Sequence, residues 1–258
     1  MCTITVHRAE KSLLVTMNRD EGKTRADERT PEFHEEAGVS WLGPVDGNRG
    51  GTWMGVSDHG VVACLMNLYR AGDDEPRAGS VERRTRGEIV PWLLRQGTIE
   101  SIRRAALTEF DPRPYPSFTV ALASLDSVES FDWTAEEPLA HHVHPHTWTM
   151  LTSSSWKTDE VLAWRGRAFD AWQAEGAHLC GSLPAFHVLQ PVGEAEWSPL
   201  MERRHAATKS ITQVEIVKGA HQSVMRYWPR TALRPGACDS PREDAVPNRN
   251  ADATAPRR

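Results

Sequence analysis

Apolar and polar positions change their period several times along the chain, and the first change comes at once. Two short β-branched runs, Thr3 to Val6 and Leu13 to Met17, flank a polar connector at Ala9 to Ser12. This pattern predicts a β-hairpin over the first twenty-one residues. Cys2, Ile4 and Val6 share one face of its first strand, and Thr3 and Thr5 take the other. With the turn centred near Glu10, Cys2 pairs near Asn18, beside Arg19 and Asp20. Gly22 to Gly38 is charged and reads as a surface loop forming one wall of an entrance. Val39 to Leu42 is a short strand, and Gly43 to Gly51 is rich in turns. Thr52 to Ser57 and Gly60 to Leu68 form a second hairpin about Asp58-His59-Gly60. Val61 to Met66 is nearly all apolar, as a strand covered on both faces requires, and Cys64 reads as a small core residue.

Helical periods follow. After a polar loop at Ala71 to Gly79, Ser80 is placed to cap a helix to about Leu94, with a kink or break at Pro91. Thr98 starts another helix to Phe110, and the three prolines of Asp111 to Pro116 make a connector. Strands at Phe118 to Leu125, Ser130 to Thr134 and Trp148 to Thr152 are expected to extend the second sheet. Thr158 is expected to cap a long amphipathic helix, Asp159 to Glu175, stopped by Gly176. Short helices at Leu183 to Gln190 and Pro199 to Arg204 precede strands at Ser210 to Val217 and Ser223 to Trp228. From Leu233 onward large apolar residues almost vanish. The expectation is one domain over residues 1–232 and a disordered tail over 233–258.

Composition narrows the classes. The chain has 258 residues, 39% hydrophobic and 25% charged, with a net charge of -5 and both signs interspersed, so it carries no nucleic-acid footprint. No run is long enough for a membrane span, and no secretory leader is visible, which gives a cytoplasmic expectation. Cys2, Cys64, Cys180 and Cys238 are too scattered for a disulfide framework or a paired zinc motif.

The chemistry gathers at the open end of the first hairpin. Removal of Met1 would give one residue, Cys2, both a thiol and a free α-amine. The amine titrates near ~8 and the thiol near ~8.5, so the amine can activate its own side chain. Arg19 would hold negative charge near the sulfur, and Asp20 would orient the amino terminus. A buried, inert cysteine beside a salt-bridged turn is the structural alternative.

Cys2 after Met1, with Asn18-Arg19-Asp20-Glu21 closing the second strand, resembles the NRDE family, which includes the transport and Golgi organisation protein 2 group. Gly50-Gly51-Thr52-Trp53-Met54-Gly55-Val56, the strand ending in Asn67, and Arg25 extend the resemblance, and weaker similarity runs through Leu151 to Ser154 and Arg203 to Val217. The resemblance implies an α+β fold, the four-layer αββα sandwich of the N-terminal-nucleophile (Ntn) hydrolases. It also implies Cys2 as nucleophile with Arg19 and Asp20 around it, and Asn67 as an oxyanion donor, although asparagine is equally at home in turns. Asn18, Glu21, Arg25, Ser153 and Lys209 are the expected substrate contacts. Two of them depart from the family: asparagine is usual where Ser153 stands and arginine near Lys209, which loses the planar fork.

The resemblance brings two functional expectations. One is an amidase or acyl hydrolase acting on a small amide or acyl substrate with no required cofactor. The other is a non-catalytic carrier of haem or acyl lipid on the same fold, with haem as a possible ligand. His141, His142, His144 and His146 would serve a metal or haem, but no nearby cysteine or carboxylate completes a motif, and a polar surface strand accounts for them as well.

Overall fold

The computed structural model describes residues 2–69, 83–134 and 137–249. Two antiparallel sheets lie face to face. The first contains β1 (Cys2–Arg8) and β2 (Ser12–Gly22); the second contains β3 (Arg29–Glu36), β4 (Val39–Val45), β5 (Met54–Ser57), β6 (Val62–Asn67), β7 (Phe118–Ala123), β8 (Val128–Trp133) and β9 (Ala140–Val143) in sequential order. β10 (Trp148–Ser153) returns to the first sheet and pairs with β1. Two short hairpins follow at different points: β11 (Leu179–Cys180) with β12 (Leu183–Pro184), and β15 (Leu233–Arg234) with β16 (Ala237–Cys238). β13 (Ala206–Val217), β14 (Gln222–Pro229) and β17 (Arg242–Pro247) complete the first sheet in the order β10-β1-β2-β13-β14-β17.

Alternation along the strands decides the layers. Ile4, Val6, Val15 and Met17 from the first sheet meet Met54, Val62, Cys64 and Met66 from the second in one apolar core. Ala63 and Leu65, on the opposite face of β6, meet α1 (Ile89–Leu94) and α2 (Ile99–Thr108). That is why Val61 to Met66 carries no polar face. Beyond the first sheet, α3 (Thr158–Ala174) packs Phe169 and Trp172 on Phe186 beside Trp148. The result is helix, sheet, sheet, helix, an αββα sandwich with the Cys2 hairpin inside a six-stranded sheet.

Several expectations are corrected. Residues 29–36 are a strand rather than a loop. β3 is an edge strand paired on one side only, so charged side chains are tolerated on it, and Phe33 is 54% exposed. Trp148–Ser153 joins the first sheet, not the second. Pro91 does not break a long helix, because α1 begins two residues before it, where a missing N–H costs nothing. Ser80 lies outside the described residues. The N-cap of α3 is Lys157 at φ 45°, while the Thr158 hydroxyl donates to the Ser154 carbonyl. Leu183 to Gln190 is β12 followed by one 3-10 turn, Ala185–Val188, and residues 199–204 hold no helix. The expected disorder after Leu233 is overturned as far as Arg249. β17 pairs with β14 from Gln222–Pro247 to Tyr227–Arg242, and Val246 is fully buried in the inter-sheet core. One apolar side chain among charges anchors this edge strand, too weak a pattern for composition to register.

Candidate functional site

The hairpin register places the central pair. Cys2 lies directly opposite Arg19 on β2 and opposite Ser153 on β10, one residue from the pairing expected with Asn18. Directly paired residues point to one face of a sheet, so the thiol and the guanidinium both reach the space between the sheets. That space opens at the strand ends as a cavity of about 420 Å³. Cys2, Arg19, Asp20, Glu21, Arg25 and Asn67 all line it.

Arg19 is nearly buried and held from three sides. It donates to Glu28 Oε2 at 2.9 Å and Asp46 Oδ2 at 3.0 Å, and it stacks on the Trp53 ring at 4.3 Å. Arg25 reaches the same Asp46 carboxylate at 2.9 Å. The Gly50 to Val56 motif thus has a local purpose. Trp53 is the platform for Arg19, and the Thr52 hydroxyl donates to the Met54 carbonyl. Gly51 touches Gly87 so closely that a Cβ on Gly51 would lie 2.6 Å from the Gly87 carbonyl carbon.

Asp20 lies one residue along β2, with its carboxylate turned toward α3. Thr208 Oγ1 donates to it at 2.6 Å, and the fully buried Arg165 lies 3.5 Å away. Burial pushes its pKa up, opposed chiefly by Arg165. Arg165 also donates to Thr3 Oγ1, Thr152 Oγ1 and the Ser198 carbonyl. It thereby ties β1, β2 and β10 together behind Cys2.

The Cys2 thiol is pushed up by burial and by the Asp20 carboxylate, and drawn down by the Asp20 backbone N–H and Arg19. Burial also raises Cys64, deep in the core. The Cys2 backbone nitrogen donates to Ser153 Oγ at 3.2 Å. Asn67 ends β6, and its Nδ2 donates to the Tyr69 hydroxyl at 2.7 Å.

Three expected substrate contacts, Asn18, Ser153 and Lys209, do not line the cavity, and Ser153 instead accepts from the Cys2 backbone nitrogen. Asn18 faces away from the cavity. Its Nδ2 donates to the carbonyls of His187 and Pro199, and its Oδ1 meets His187 Nδ1. Burial holds His187 neutral, pushed down to about 3. Lys209 is the extra residue of a β-bulge between Thr208 and Ser210, and it pairs with Asp27 at 3.0 Å in a separate cleft beside Tyr227. The histidine run is also away from the site. His141 binds Glu129, His142 lies 3.4 Å from Asp132, and His144 meets Ser130, all partners on β8. Among the described residues no histidine lines the cavity, and no group of three metal-ligating side chains is present.

Sequence reasoning missed Glu28, Asp46, Arg165 and Thr208, which carry no motif and come to the site only through tertiary pairing. It also missed the basic run Arg83-Arg84-Thr85-Arg86, which lines the cavity beside Gly87 and was legible as a charge cluster.

Among solved structures, the chain is similar to a variant of the conjugated bile acid hydrolase from Clostridium perfringens. Identity is 11% over 96% of this chain and 92% of the other, with a TM-score of 0.55. It is similar to the Caenorhabditis elegans ortholog of N-acylethanolamine-hydrolyzing acid amidase, 12% identical over 82% of this chain and 92% of that one, TM-score 0.60. It is also similar to penicillin V acylase from Agrobacterium tumefaciens, 11% identical over 95% and 86%, TM-score 0.53. These likenesses establish the Ntn-hydrolase fold. No curated protein matches the chain at a significant level. No helix among the described residues is long and apolar enough to cross a membrane. The family model for Transport and Golgi organisation 2 matches residues 1–168, and the chain belongs to that family.

Proposed function

We propose that this protein is an Ntn-type cysteine amidase or acyl hydrolase acting on a small amide or acyl substrate. The observation that carries the reading is the placement of Cys2. Its side chain lines the cavity while its own backbone nitrogen is held by Ser153, with Arg19 directly opposite. Once Met1 is removed, that nitrogen is the α-amine. Ser153 then anchors the amine, and Asp20 supplies negative charge close by.

The amine takes the thiol proton as sulfur attacks the substrate carbonyl. The developing oxyanion needs a donor, and the Asn67 amide nitrogen has a second N–H besides the one given to Tyr69. The proton passes to the leaving amine, and water releases the acyl group from the thioester by the reverse sequence. Solved structures of similar fold that are named as hydrolases and acylases support the coarse class.

Electrophilic acyl probes, read by peptide mass spectrometry, test the reading. Acylation of Cys2 in the chain lacking Met1, lost on Asn67→Ala far more than the fold's stability, is the expected result. An intact mass that retains Met1, with no acylation of Cys2, sinks it and leaves the cavity to a carrier role.

A further inference from the structure

Six arginines reach the cavity, but their charges are not equally spent. Arg19 and Arg25 share Asp46, and Arg84 is paired with Glu88. Among the described residues, Arg49, Arg83 and Arg86 have no carboxylate within ion-pair distance. Arg86 is the informative one. It is half-buried, it gives one N–H to the Ser117 carbonyl at 2.8 Å, and it feels the Cys2 thiol and Glu21 electrostatically. A guanidinium has five N–H donors in a fixed fork, and a desolvated one without a counter-charge is costly. Arg86 is also rigidly placed. Thr52 N–H donates to the Gly87 carbonyl at 3.0 Å, and the contact of Gly51 with Gly87 leaves no room for a Cβ. The GGTW motif therefore fixes the basic wall on one side and Arg19 on the other.

We propose that Arg86, with Arg49 and Arg83 at the mouth, forms an anion subsite of the Cys2 cavity. The substrate would then carry a carboxylate, sulfonate or phosphate group beside its reactive acyl carbon. This deepens the hydrolase reading and rests on it for the reaction, though not for anion binding. Arg19 does not compete for the anion, because Glu28 and Asp46 already occupy it.

The test uses two small alkylating probes of one reactivity class, iodoacetate with a carboxylate and iodoacetamide without. The ratio of their rates at Cys2 is measured by peptide mass spectrometry on the full chain. An anion subsite makes Cys2 favour iodoacetate relative to Cys180 and Cys238. Arg86→Gln should lower that ratio at least fivefold, Arg86→Lys should largely keep it, and Arg49→Gln should lower it less. Added salt should lower it too. An unchanged ratio in Arg86→Gln overturns the subsite. Should Cys2 react with neither probe, the nucleophile reading fails by itself, and inorganic pyrophosphate at constant ionic strength decides the subsite. A rise in Tm that Arg86→Gln abolishes upholds it, and no rise overturns it.

A separate observation carries a second inference. Cys180 Sγ and Cys238 Sγ lie 3.3 Å apart, partly buried, fifty-eight residues apart in sequence. They join β11 to β16 beside Leu183, Trp228 and Leu233. We infer that these thiols form a reversible disulfide that staples the C-terminal segment to the body. With oxidised glutathione as oxidant, one Cys sulfur attacks and releases one glutathione thiol. The second Cys sulfur displaces the other glutathione, so the protein loses two protons and two electrons, which reduce the oxidised glutathione to two thiols. Burial and Cys180 push Cys238 up to about 12. The oxidised chain should be lighter by two hydrogens, yield a Cys180–Cys238 cross-linked peptide, and melt roughly 5 °C or more higher. Cys238→Ser should show none of these. Mixed glutathione adducts alone, without the cross-link, overturn the staple.

Discussion

At the residue scale the site is a balance between burial and charge. Cys2 is only 7% exposed, and burial raises its thiol, so the simple expectation of a surface thiol activated by Arg19 needs a pH. In a chain that keeps Met1, iodoacetamide labelling of Cys2 should still be climbing at about pH 9, because the thiolate fraction is still rising there. In the processed chain the α-amine on the same residue should speed labelling several-fold near neutral pH. Time courses on the two forms, separated by intact mass, check this, and equal rates would remove the amine from the mechanism. Arg19→Ala should slow Cys2 several-fold and leave Cys238 unmoved, since only Cys2 faces that guanidinium. Behind Cys2, Arg165→Met would take away the buried guanidinium beside the Asp20 carboxylate. The expected cost is about 3–5 kcal/mol, read as a fall in urea midpoint.

At the element scale, what the sequence disclosed followed from how much of each strand is buried. The faces of β1 were legible because Ile4 and Val6 alternate strictly with Thr3 and Thr5, and the two-sided burial of β6 because it lacks a polar face. β3 and β17 were not legible, since an edge strand under one sheet face needs a single apolar anchor, Val246 in β17. For the same reason a hairpin argument found Cys2 opposite Arg19 to within one residue, yet misplaced Lys209. A bulge is set by tertiary pairing of β13 with β2, not by the period of β13 itself. Truncation after Ala232 removes β17 and uncovers β14, so Tm should fall by many degrees; an unchanged melt would show that the strand adds nothing. On β8, Glu129 offers a pH handle. Burial works against its charge, but bonds from Arg103, Ser127 and His141 draw it down to about 2. A carboxyl lowered by folding contributes stability above its unfolded pKa, and this is lost as pH falls through the folded value. Between about pH 4.5 and 2 the wild type should lose about 2–3 kcal/mol that Glu129→Gln does not lose, measured by urea melts along the pH series.

At the scale of the whole molecule, the cavity is assembled from distant parts of the chain. Cys2 comes from β1, Arg19 from β2, Asn67 from β6 and the basic wall from the segment before α1. Both neighbours that hold the Cys2 end of β1 and β2 in register, β10 and β13, come from the second half of the sequence. This sets an order of events during synthesis. Ser153, the residue that covers the Cys2 nitrogen, is made roughly 8–30 s after Cys2 at ordinary elongation rates. Throughout that interval β1 lacks its β10 neighbour, and on the proposed reading Cys2 stays open to a processing aminopeptidase. Once β10 docks, Cys2 is enclosed and the opportunity closes. On the proposed nucleophile reading, a chain that pairs β10 before Met1 is cut should stay unprocessed, and slowing elongation between residues 20 and 150 should raise the processed fraction, read by intact mass.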